Sequence, residues 1–210
     1  EAKNAWAKSL CMYEWQRMNY EQAAGYASIF DFNLSAYLRK LDQLTSSETP
    51  SYEILVDIMR GADMLRQWGD FGEAMERYYK ALEYLLRIKM WELLKETPPY
   101  KKSTIEKLSL SSKLMSEIHP NYEGKYTLGL MCMLRILREK DDKFATDYLS
   151  DSSLLYRIGD RNEYVHGIHV IDANKVNNFY GNLNRLIQMH VPEVAKAKEA
   201  ASPAIKSIID

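Results

Sequence analysis

The sequence predicts an all-α protein, a helical bundle with additional N-terminal helices. Glycine and proline are sparse, 9 and 6 among 210 residues, so few positions interrupt a helix. Runs of β-branched residues are scarce, which removes the main signature of strands. Apolar residues recur instead at helical spacing. In FGEAMERYYKALEYLLRIKMWELLK (71–95), Met75, Tyr78, Leu82, Leu85, Leu86 and Met90 share one face.

Taken in order, residues 1–70 read as an N-terminal helical portion, a connector or extension, with helices near 4–18, 21–30, 34–44 and 51–67. TSSETPS (45–51) and WGDFG (68–72) are the breaks. Residues 71–210 read as the main helical domain. Its first helix ends at Pro98 and Pro99, which forbid continuation. YTLGLMCMLRILRE (126–139) is apolar nearly all round, so a position deep in the bundle is expected. NKVNNFYGNLNRLIQMH (174–190) aligns Val176, Phe179, Tyr180, Leu183, Leu186 and Ile187 on one stripe. A last helix over 192–210 is expected to break near Pro203.

Apolar residues are 46% and charged residues 27% of the chain, enough for a folded core. No stretch approaches the apolar length of a membrane span, so no membrane partner is expected. The N-terminal residues lack a signal-peptide layout. With no opening Met, the chain reads as a piece of a longer protein. Cys11 and Cys132 are far apart and read as small hydrophobes, with the cytoplasm as compartment. The net charge of −1 is uneven. Residues 1–76 carry 7 Lys/Arg against 12 Asp/Glu, and residues 77–113 carry 9 against 4. No region demands nucleic acid, but the middle segment can attract phosphates locally.

NYEQAAGYASIFDF and DFGEAMERYYKALEY each resemble the second half of a tetratricopeptide hairpin. Tyr20 and Phe71 are 51 residues apart, whereas such arrays repeat every 34. With no third copy, an array is not expected.

The chemistry concentrates in IGDRNEYVHGIHV (158–170). Asp160 can cap a helix and Glu163 can complete a capping box. A helix start presents unpaired N–H groups and a partial positive charge, which suits phosphate. Arg161 in that first turn is disfavoured by the dipole and calls for an anion, supplied by Asp160, Glu163 or a ligand. Asn162 and His166 are four apart and share a helical face. Guanidinium offers forked donors to phosphate oxygens, and imidazole moves protons near neutral pH. These groups around one phosphate suffice for metal-independent RNA cleavage, with the imidazole as acid or base and the arginine stabilising charge on the phosphoryl oxygens.

Arg161, Asn162 and His166, in a helical chain that also carries MERYYKALEYLLR, resemble the motif of HEPN ribonucleases, an Arg, four to six residues and a His. The likeness is strongest over 70–190 and extends to the HEPN portion of CRISPR-associated CARF–HEPN proteins. It implies a HEPN-like domain over 71–210 and a catalytic role for Arg161, Asn162 and His166. It implies single-stranded RNA as substrate and a homodimer that joins two motifs into one composite site. It also implies antiviral defence, and a cyclic-oligoadenylate sensor domain missing from this chain. The stripe over 174–190 is the expected dimer surface.

No cofactor and no metal are expected. His166 and His169 have helical metal spacing, but no third ligand is in step with them and Gly167 intervenes. His119 and His190 read as structural, Tyr164 and Val165 as packing, and Arg157 as a surface or ion-pair residue. The competing expectation is a non-catalytic helical interaction module, tetratricopeptide-like or an inactive HEPN.

Overall fold

The computed structural model describes residues 2–156, 158–159 and 171–209, with backbone alone over 202–209. The protein is all-α. Two compact units divide it, Glu1–Asp57 with Glu193–Asp210, and Ile58–Pro192.

The first unit contains α1 (Ala2–Gln16), α2 (Tyr20–Ala27) and α3 (Phe32–Thr45). Asp31 caps α3 by accepting from Leu34 N at 3.0 Å. Helix α2 packs on both α1 and α3. Small residues make that approach possible, because Ala23, Ala24 and Ala27 are fully buried on one side of α2. Ser35 is also buried and donates to Ala24 O at 2.8 Å. The last helix, α12 (Pro192–Ile209), belongs mainly to this unit. It runs unbroken through Pro203, contrary to the expected break. The alanines beside it, Ala200, Ala201 and Ala204, are the strongest helix formers, so the sequence on both sides of the proline favours helix.

The division between the units falls within α4 (Tyr52–Gln67). At its start, a buried carboxylate organises the first unit. Asp57 is 2% exposed. It accepts from Trp15 Nε1 and from Tyr20 OH, each at 2.8 Å. Two aromatic donors thus satisfy a charge that burial would otherwise penalise heavily.

The second unit is built on α5 (Phe71–Leu94), capped by Asp70 through Glu73 N. The periodic stripe holds: Met75, Tyr78, Leu82, Leu85, Leu86 and Met90 are all fully buried. Helix α5 ends at Lys95, whose left-handed φ of 55° closes the helix before Pro98 and Pro99. Short helices α6 (Lys102–Glu106) and α7 (Ser112–Glu117) follow. Tyr100 and Tyr126 then pair through two backbone hydrogen bonds, 2.9 and 2.8 Å.

Helix α8 (Leu130–Glu139) starts four residues later than the apolar run suggested. It is also one-sided rather than apolar all round. Leu130, Met133, Leu134, Ile136 and Leu137 are buried, while Arg135, Arg138 and Glu139 are exposed. Their i, i+3, i+4 spacing gathers the charges on a single solvent face.

Helix α9 (Lys143–Ser150) is capped by Asp142, whose Oδ1 accepts from Ala145 N at 2.8 Å. Its Oδ2 takes Lys89 Nζ of α5 at 2.7 Å. One aspartate therefore starts α9 and fixes it to α5. After α10 (residues 152–156) comes α11 (Ala173–His190). Helix α11 packs on α5 and α9, and α8 packs on the same two helices. The stripe Val176, Phe179, Leu183, Leu186 and Ile187 is consumed by this packing, each residue at most 1% exposed. It is a core face and no dimer surface, because α5 and α9 of the same chain already cover it. Tyr180, the remaining member, is half-buried.

Cys11 is buried and Cys132 half-buried. Burial pushes the Cys132 thiol up, towards its neutral form.

Candidate functional site

Arg161, Asn162 and His166 lie outside the described residues, as do Arg157, Asp160, Glu163, Tyr164, Val165, Gly167 and His169. The structure describes the two flanks from which that segment departs and to which it returns.

On the entry side, Asp151 caps α10. Its Oδ1 accepts from Ser153 Oγ at 2.5 Å, from Ser153 N at 3.0 Å and from Leu154 N at 3.3 Å. The Ser153 hydroxyl is the main reason the Asp151 carboxyl sits below its usual range. Burial opposes this, and the backbone amides of Leu154 and Ser153 and the charge of Arg185 add to it. Two contacts then tie this turn to α11. Asn182 Nδ2 donates to Ser153 Oγ at 2.9 Å, and Arg185 Nη2 meets Asp151 Oδ2 at 3.3 Å. Leu154 is fully buried beside them in the chain. On the return side Ile171 is 4% exposed, and Asp172 caps α11 through Lys175 N at 2.9 Å.

Helix α11 is held in turn by an arginine hub. Arg66 Nη1 donates to Asn177 Oδ1 at 3.0 Å, and its guanidinium carbon lies 4.6 Å from the centre of the Tyr180 ring. Arg66 Nε donates to Tyr78 OH at 3.2 Å, and Nη2 meets Asp63 Oδ1 at 3.2 Å. Tyr78 OH donates to the same Asp63 oxygen at 2.7 Å. Burial, reinforced by Asp63, raises the Tyr78 phenol well above its ordinary value. Tyr78 therefore serves as a neutral donor here. Sequence periodicity places Tyr78 and Tyr180 on packing faces. It gives no sign of Arg66 or Asn177, whose partnership spans 111 residues.

At the far end of α11, His190 Nε2 is 2.7 Å from Asp147 Oδ2 of α9. This fits the structural role expected of His190.

A cleft of about 370 Å³ lies between α7, α8 and the residues Leu149 and Leu155. Lys113, Arg135 and Arg138 line it, with Glu117 and Glu139. Arg135 pairs with Glu117. Glu139 accepts from Ser111 N at 3.0 Å and from Ser111 Oγ at 2.5 Å. Those two bonds are the first causes that hold its carboxyl below the usual range. Leu114, Met131, Leu149 and Leu155 supply the apolar part of the wall. Lys113 belongs to the basic segment over 77–113. The arginines could not be assigned to the same cleft from sequence, because α7 and α8 meet only through folding.

No protein-family model, curated protein or solved structure matches this chain. Its functional assignment therefore rests on its own residues. Among the described residues no helix is long and apolar enough to cross a membrane. Among them, too, no group of three His, Cys, Asp or Glu is placed to hold a metal ion.

Proposed function

We propose that this chain is the effector portion of a HEPN-type, metal-independent endoribonuclease of CRISPR-associated antiviral defence. Its substrate is single-stranded RNA, cut at a composite site formed by two protomers. The observation that carries the proposal is Arg161-Asn162, then His166 four residues on, in a chain that is otherwise helical. The all-α fold is consistent with it. So is the anchoring of both flanks, since a catalytic segment needs fixed ends to hold its geometry.

The chemistry needs three functions. A base removes the proton from the ribose 2′-OH, whose oxygen attacks the adjacent phosphorus. The phosphorus–O5′ bond breaks, and an acid protonates the departing 5′ oxygen. Charge on the phosphoryl oxygens is stabilised meanwhile. His166 is the proton-transfer group, Arg161 the charge stabiliser, and Asn162 a neutral donor. One imidazole cannot conveniently act as base and acid in the same turnover. A two-fold dimer supplies the second histidine. The products are a 2′,3′-cyclic phosphate and a 5′-hydroxyl, with DNA spared for want of a 2′-OH. The test is cleavage of labelled RNA in EDTA by the wild type and by His166→Ala.

A second function, a non-catalytic helical interaction module, draws on one feature of the first unit. Trp6, Tyr13 and Phe32 are 55%, 56% and 82% exposed. Large exposed aromatics are common at protein interfaces. This alternative predicts a protein that leaves RNA uncut under every condition.

A further inference from the structure

We infer that the cleft between α7 and α8 is a subsite for the phosphate backbone of single-stranded RNA, with Lys113 and Arg138 as its phosphate contacts. The choice of RNA rests on the proposed nuclease function. The anionic character of the ligand rests on the cleft itself.

Three cations face two carboxylates there. Both carboxylates already have partners, Glu117 in its pair with Arg135 and Glu139 in its two bonds from Ser111. Lys113 and Arg138 make no ion pair among the described residues. Both are exposed at the cleft. Ser111 is neutral and leaves the charge of Glu139 in place, so three cations against two carboxylates leave one net positive charge on this concave surface, which attracts an anion more strongly there than on a convex one. The apolar wall beneath them gives a sugar or base a surface to lie on. Single-strand grooves likewise track the phosphate backbone with positive charge, though the wall here is aliphatic where those grooves stack bases on aromatic rings. At about 370 Å³ the cleft is near the small end of ligand sites, roughly 300–1,000 Å³. It has room for a nucleotide unit of a strand.

Position favours the same substrate. Leu155 lines the cleft, and Arg161 follows six residues later. Chain length alone limits their Cα separation to roughly 22 Å. A strand of a few nucleotides can therefore occupy the cleft and reach the proposed catalytic residues together.

The experiment measures binding of a fluorescein-labelled single-stranded RNA by anisotropy across a salt series. It uses His166→Ala protein, to keep the RNA intact, with and without Lys113→Gln and Arg138→Gln. Cleavage by the otherwise wild-type chain is measured alongside. Each single-strand phosphate contact contributes about 0.7 to the slope of log K against log salt. The double substitution should lower that slope by about 1.4 and weaken binding roughly tenfold near physiological salt. Both side chains are exposed, so the melting temperature should hold. Unchanged slope and affinity, with RNA still cut by the wild type, would overturn the subsite and leave the nuclease standing. A lost slope with RNA never cut would support the subsite and overturn the nuclease. No RNA binding at any salt would overturn the subsite.

Discussion

Arg66 stacks 4.6 Å over the ring of Tyr180 while its Nη1 donates to Asn177 at 3.0 Å. One α4 side chain thereby grips α11 by a ring face and an amide together. Tyr78 of α5 and Asp63 complete the grip.

Removing Arg66 should loosen the second unit. Arg66→Ala leaves Asp63 without its ion pair and removes the donor to Asn177. A loss of about 2–3 kcal/mol in urea unfolding is expected. Arg66→Lys should recover less than half of it, because an ammonium has neither the planar fork nor the stacking surface. Full recovery by lysine would show that charge alone matters there.

The buried carboxylate of the first unit makes a separate prediction. Asp57→Ala removes the carboxylate that accepts from both Trp15 Nε1 and Tyr20 OH. Losing a carboxylate acceptor costs a buried donor about 1–3 kcal/mol. Tyr20→Phe removes one donor and leaves the other paired, so it should cost about 1 kcal/mol. Equal losses in the two variants would mean that the Trp15 bond contributes nothing.

Asp151 predicts a pH dependence of stability. Its folded carboxyl sits below the ordinary range, chiefly through Ser153. A depressed folded value means that the unfolded chain takes up the proton first as pH falls. The stabilisation is therefore complete above the unfolded value of about 4 and is lost as pH falls further, through the folded value. Chemical denaturation at pH 6, 4 and 3 should show a smaller acid loss in Asp151→Asn than in the wild type. An identical acid loss in both would place that sensitivity elsewhere.

Much of the helical framework was legible in local sequence. The breaks at 45–51 and 68–72 separate α3, α4 and α5 as expected, because Pro, Gly and capping aspartates act within a turn. The buried face of α5 was legible for the same reason. Three features were not. The polar face of α8 was hidden by a run that included Tyr126, which tertiary pairing with Tyr100 draws off the helix. The stripe of α11 is apolar whether it meets its own chain or another. Sequence gives the stripe and not its partner. The Arg66 hub and the α7–α8 cleft join residues far apart in the chain. No local pattern announces them. Arg161, Asn162 and His166 were picked out by chemistry and spacing, and they lie outside the described residues. Their anchoring flanks, Asp151 with Arg185 and Ser153 with Asn182, emerged only from the fold.

The central claim is an RNA-cleaving site that uses His166 and no metal. It is tested most directly by incubating end-labelled single-stranded RNA with the protein in EDTA and analysing the new ends. The account predicts cleavage by the wild type to 2′,3′-cyclic phosphates. It predicts no cleavage by His166→Ala, with a melting temperature close to wild type. Strict dependence on added Mg²⁺ or Mn²⁺, or equal cleavage by His166→Ala, would contradict it. So would RNA left intact by the wild type.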